Sequence, residues 1–124
     1  VTITQNQARI RINGLKTTIT GTHGIYANSN SGQLYINYFQ CVTADASYSG
    51  VYASYCPSVF IQNSTISDRK WGIFAANCSR IFSNTNGGTG NSIGLVANNA
   101  TIMKNSTQPG GTTAESAGQG GVIR

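Results

Sequence analysis

Asp45, Asp68 and Glu115 are the only carboxylates in this 124-residue chain. Cleaving a glycosidic bond takes two carboxyl groups, one to protonate the leaving oxygen and one to act as nucleophile or base. Asp45 lies five residues before Gly50 and Asp68 four before Gly72. If each glycine opens an equivalent segment, the two acids fall at nearly the same corner of neighbouring segments. Stacked in that way their carboxyls stand roughly 5–8 Å apart, a range that spans retaining and inverting hydrolases. The competing reading is two aspartates in bends, where the side chain bonds to nearby backbone. A lyase would instead need a base beside a substrate carboxylate, for which Arg69, Lys70 and His23 are the available side chains. With one histidine and no nucleophile elbow, no Ser-His-Asp set is recognisable.

Equivalent corners require a repeat, and the chain has one. "GIYANSN" begins at Gly24, "GVYASYC" at Gly50, "GIFAANC" at Gly72 and "GLVANNA" at Gly94, at steps of 26, 22 and 22 residues. A period in the low twenties marks a stacked solenoid. Within the phrase Ile25, Val51, Ile73 and Leu95 share one face with Ala27, Ala53, Ala75 and Ala97, and Tyr26, Tyr52, Phe74 and Val96 take the other. That alternation is a β-strand repeated four times. Each phrase is followed by a second apolar run ("LYINYF", "VFI", "IF", "TIM") whose inward set the spacing leaves open, since a slip of one residue reverses the faces. Asn63, Asn84 and Asn105 then recur and suit a left-handed bend. The first segment lacks the glycine, but Ile3 stands 22 residues before Ile25.

The pattern predicts an all-β chain, a right-handed single-stranded parallel β-helix of about five coils over residues 1–106. Residues 107–124, "TQPGGTTAESAGQGGVIR", are expected to be a Gly-rich cap or a linker to a following domain. Leucine-rich, hexapeptide and propeller repeats are set aside by consensus or by period.

Composition agrees with this and narrows the function. Only 9% of residues are charged, replaced by 13 Asn, 13 Ser, 14 Thr and 15 Gly, so helix is not expected. The net charge of +5 comes from eight scattered basic residues without the clustering of a nucleic-acid groove, and it suits an acidic polysaccharide surface equally. No nucleic-acid partner, membrane insertion, metal or cofactor is expected. The chain starts on Val1 inside the strand-like "VTIT" and reads as a piece excised from a longer polypeptide. Cys56 and Cys78 fall 22 residues apart, which puts them about one strand spacing from each other, roughly 4.8 Å. Both a disulfide and two small buried side chains in a ladder fit that distance.

The outward row Tyr26, Tyr52, Phe74, with Trp71 and Tyr48 close by in sequence, is the main candidate binding surface. Aromatic faces at rung spacing suit the C–H faces of sugars, and the same stripe suits a subunit seam, where aromatic side chains are common.

The glycine-led coils, their Asn-rich bends and the closing "GGTTAESAGQGGVIR" resemble the β-helix region of phage tailspikes and tail fibres in the pectate-lyase-like superfamily. The resemblance covers nearly the whole chain, rests on coil grammar and carries no catalytic signature. It implies a homotrimer on a virion tail appendage that binds bacterial surface polysaccharide. The expectation is therefore a structural and receptor-binding module. The alternatives are a polysaccharide depolymerase, hydrolase or lyase, using Asp45 and Asp68, and a secreted bacterial adhesin.

Overall fold

The computed structural model describes residues 1–124. Its strands in chain order are β1 (Thr2–Thr4), β2 (Ile10–Asn13), β3 (Lys16–Thr17), β4 (Ile25–Asn28), β5 (Leu34–Asn37), β6 (Gln40–Cys41), β7 (Asp45–Ser54), β8 (Val59–Gln62), β9 (Thr65–Ile66), β10 (Arg69–Ala76), β11 (Arg80–Asn84), β12 (Asn91–Asn98), β13 (Thr101–Asn105), β14 (Gly111–Gly118) and β15 (Val122–Ile123). They form three parallel sheets: a first of order β1-β4-β7-β10-β12-β14, a second of order β15-β13-β11-β8-β5-β2, and a third of β3-β6-β9. The chain is a parallel β-helix with no α-helix; the first three turns cross all three sheets in the same sequence, and the later turns cross the first and second.

The inward columns hold it together. Ile25, Val51, Ile73 and Leu95 pair in register as one column, and Ala27, Ala53, Ala75 and Ala97 as a second, all with 0% exposure. Each fully buried aliphatic side chain is worth about 1.5–3 kcal/mol, so the ladder is the main stabilising term. In the second sheet Leu34, Val59, Ile81 and Ile102 point inward, with Ile36 and Ile61 two residues on. Tyr35, Phe60, Phe82 and Met103 therefore point out, which answers the question the spacing left open. The leading glycines are required by close approach. A Cβ on Gly24 would lie 2.7 Å from the Gly50 carbonyl oxygen, and one on Gly72 2.5 Å from that of Gly94.

Four readings need correction. The solenoid has about six turns, not five, because Gly111–Gly118 pairs with β12 and Val122–Ile123 with β13, both parallel. Thr, Ser and Ala fill that strand, and the inward column ends on Glu115 opposite Leu95, so no aliphatic alternation announced it. Lys104 continues the inward column beyond Ser83 and is ion-paired with Glu115, so the two charges meet across the end of the core. Ile3 lies opposite Ala27, not Ile25. Asn63 is not in the column of Asn84 and Asn105: it has φ 51° and stands with Gly14, Tyr38, Thr85 and Ser106 at the left-handed bend. The in-register amide row one residue earlier is Asn13, Asn37, Gln62, Asn84 and Asn105. Cys56 and Cys78 do not form a ladder either. Cys56 is buried, and its N–H donates to the Ser79 hydroxyl at 3.0 Å. Cys78 is exposed at φ 62°, an extra bend residue that pushes Ser79 into the interior place, and both thiols are free.

Candidate functional site

β4, β7 and β10 carry Tyr26, Tyr52 and Phe74 in consecutive register on the outer face of the first sheet. Tyr26 and Tyr52 stack with centroids 5.4 Å apart and planes 9° from parallel, so each covers a face of the other. At Phe74 the row turns: its ring stands 86° from Tyr52 at 5.2 Å, and Trp71 meets Phe74 at 4.8 Å and 61°. The Lys70 ammonium sits 4.4 Å from the Trp71 ring centroid, a cation–π contact. His23, which follows the short turn after β3, joins the cluster from the side. It stacks on Tyr52 at 4.8 Å and Tyr26 at 5.6 Å and meets the edge of Tyr48 at 5.2 Å. All five aromatic residues singled out by the sequence are thus joined by ring contacts, with His23 as the link to Tyr48.

His23 Nδ1 accepts the Ser49 N–H at 3.0 Å, which places the proton of the neutral ring on Nε2. Burial, and then the Arg69 guanidinium, lower its pKa below the ordinary 6.5, with the Asp45 carboxylate opposing. The ring is neutral at physiological pH and belongs to the aromatic surface.

The acid corner differs from the stacked carboxylate pair. The residue opposite Asp45 in the ladder is Arg69, and Asp68 is one place off, offering its carbonyl oxygen to the Asp45 N–H at 2.8 Å. Asp45 Oδ1 accepts the Ser47 N–H at 2.9 Å and Oδ2 the Gly21 N–H at 2.7 Å, with the Arg69 guanidinium 3.9 Å away. The Ser47 N–H chiefly, opposed by burial and then aided by Gly21 and Arg69, holds its pKa below the ordinary 3.8. A carboxylate held ionised in this way is a poor proton donor, because a general acid at neutral pH needs a raised pKa. Asp68 is exposed in a left-handed bend at φ 59°, and its Oδ1 fills the space where a Cβ on Gly90 would stand.

Arg69, considered as a lyase base, is the largest fully buried side chain in the molecule. Its guanidinium donates to the carbonyl oxygens of Thr22, Thr43, Ile19 and Ser49. It clamps the irregular third corner of three turns and, through Thr22 and Ser49, holds His23 against the row. Nothing in its sequence neighbourhood marks it as buried; only the register with Asp45 does.

The alternation also conceals a second aromatic row, on the second sheet. Tyr35 and Phe60 stack at 4.7 Å and 8°, and Phe60 and Phe82 at 4.8 Å and 9°. It was hidden because "LYINYF", "VFI" and "IF" do not themselves indicate which residue faces inward.

Compared with family models, curated proteins and solved structures, the chain matches none of them.

Proposed function

We propose that this chain is a β-helical segment of a phage tail fibre or tailspike, a structural and receptor-binding module on a virion tail appendage that contacts bacterial surface polysaccharide as a homotrimer. The coil grammar supports the family reading. The observation that carries the glycan reading is the turn of the aromatic row at Phe74 and Trp71. Tyr26 and Tyr52 cover one another's faces, but Phe74 and Trp71 are rotated out of the stack and have no parallel ring neighbour. Lys70 lies over one face of Trp71, and the remaining ring faces are offered to the C–H faces of a sugar. Lys70 at Trp71 and Tyr48, which joins the Tyr26 and Tyr52 end of the row through His23, supply an ammonium and a phenol, the few polar groups a binding surface needs for orientation. The rigid ladder beneath holds the patch in place before the ligand arrives, which lowers the ordering cost of binding.

Trp71 is the sole tryptophan and therefore a built-in reporter. Titrating purified bacterial surface polysaccharides is expected to change its emission for at least one of them, and Phe74→Ala to weaken that binding by about tenfold or more. A polysaccharide that binds without altering Trp71 emission and is indifferent to Phe74→Ala would move the contact elsewhere. A scattering mass of one 13 kDa chain would remove the trimer.

A further inference from the structure

We propose that the outer face of the second sheet is a separate binding site for an anionic polysaccharide chain lying along the solenoid axis. The outward residues of this sheet form three parallel rows. The central row is Arg11, Tyr35, Phe60, Phe82 and Met103 in register. Arg124 extends it: its N–H donates to Ile102 O, and its carbonyl accepts from the Lys104 N–H. The row is thus closed at both ends by arginine, with Met103 between the aromatic stack and Arg124. On one side runs the amide row Asn37, Gln62, Asn84, Asn105. On the other, Arg80 pairs with Thr101, and Arg9 bonds through Nε to Gln33 Oε1 at 3.1 Å. Six rungs at about 4.8 Å give a ribbon roughly 24 Å long.

The charge distribution selects the ligand. The chain has five arginines: one, Arg69, is buried, and the other four (Arg9, Arg11, Arg80 and Arg124) are exposed on this one face. None of its rows contains an acidic side chain. Asp45 and Asp68 lie at the third corner, and Glu115 is engaged by Lys104. Guanidinium groups bind carboxylate, sulfate or phosphate in a planar fork. Arg9 and Arg11 are held over the Tyr35 ring at 5.6 and 5.5 Å and so partly ordered beforehand. The side-chain amides of Asn37, Gln62 and Asn105 bond to no protein group, which leaves donors and acceptors at rung spacing for hydroxyls. A groove of about 380 Å³ runs between the aromatic and amide rows from Phe60 and Gln62 to Met103 and Asn105. The rings are parallel within 9°, their faces cover each other and only edges are offered, which does not serve nucleic-acid bases that need open faces to stack on.

This site deepens the glycan reading by giving the polymer a charge class, but it uses no residue of the first-sheet patch, so the two fail separately. The test is affinity electrophoresis and titration calorimetry with sodium polygalacturonate, neutral dextran and a single-stranded oligothymidylate. The polyuronate is expected to bind with an affinity that falls as salt rises, and dextran not to bind. Arg11→Gln and Arg80→Gln should each weaken binding roughly threefold and the pair roughly tenfold. Lys16→Gln removes the same charge from the third sheet and should change nothing, as should Phe74→Ala on the first. Absence of polyuronate binding, equal binding of dextran, or an equal loss in Lys16→Gln would overturn the site. Tighter binding of the oligothymidylate would reassign the face to nucleic acid. Polyuronate binding lost only in Phe74→Ala would return the ligand to the first sheet.

Discussion

Replacing Arg69 by methionine keeps an unbranched stem in the third corner and removes the guanidinium. The side chain has 0% exposure and donates to four carbonyl oxygens. The bonds to Thr22 and Thr43 are the short ones, while those to Ile19 at 3.3 Å and Ser49 at 3.4 Å are near the limit of useful geometry. Two good hydrogen bonds from a charged donor contribute roughly 3–6 kcal/mol net of the water contacts they replace. Against that stands the relief of an expensive buried charge. Asp45 is not orphaned, because Ser47 and Gly21 still donate to it. The net loss expected is about 3–4 kcal/mol, at the low end for breaking a buried charged network. Of a total stability of about 5–15 kcal/mol for such a domain, that is a large share. Urea unfolding followed by circular dichroism should show a lower midpoint at unchanged slope. Hydrogen exchange should quicken first around Gly21–Gly24 and Ser49, whose carbonyls and amides the clamp holds. The Asp45 pKa should rise only part of the way to its ordinary value, since the Ser47 N–H is its main hold. A loss under about 1 kcal/mol, with exchange unchanged at those amides, would show that the clamp is incidental and that backbone pairing alone sets the corner.

Ile73→Ala removes a fully buried rung from the middle of the inward column, and a loss of about 2–5 kcal/mol by chemical unfolding is expected. Acid should weaken the fold in two windows. The folded pKa of His23 is below 6.5, so the unfolded chain takes up that proton first, and the stability present above about pH 6.5 is lost as pH falls through the folded value. Asp45 contributes in the same direction lower down: its contribution is present above about pH 3.8 and lost as pH falls through its depressed folded value. In thermal melts across pH, His23→Gln should flatten the first window and leave the second. Bacterial capsule incubated with the protein should release no new reducing ends, because Asp45 is locked as an ionised structural group. Release that both Asp45→Asn and Asp68→Asn abolish would establish the depolymerase reading instead.

The first sheet was legible because glycine, aliphatic, aromatic and alanine recur in a fixed order, and a period-2 pattern repeated four times admits one register. The row Tyr26, Tyr52, Phe74 follows directly from that register. The second sheet was legible as a run but not as faces. The second-sheet step is 22 residues from Val59 to Ile81 but 21 from Ile81 to Ile102, because the turn after the one holding Cys78 lacks that extra residue. A 21-residue spacing therefore relates Asn84 to Asn105 but not Asn63 to Asn84. The sixth turn was illegible for a different reason. Its inward-register position is Glu115, exposed at the end of the solenoid, and a charge at that position makes sense only once Lys104 is seen across from it. Asp45 and Asp68 looked paired because four and five residues before a glycine seem nearly equal. The ladder is irregular there: the four-residue step from Asp45 to Ser49 runs opposite the two-residue step from Arg69 to Trp71, and that bulge puts Arg69, not Asp68, opposite Asp45. The arginines of the second sheet seemed scattered along the chain, and only the stacking of turns collects them.

Glycan contact is tested most directly by adsorption of the fluorescently labelled chain to bacterial cells that carry their surface polysaccharide and to otherwise identical cells that lack it. Saturable adsorption to the first, none to the second, and loss with Phe74→Ala or with the paired Arg11→Gln and Arg80→Gln substitutions is the predicted result. Equal adsorption to both cell types, or to neither across a panel of hosts, would contradict it.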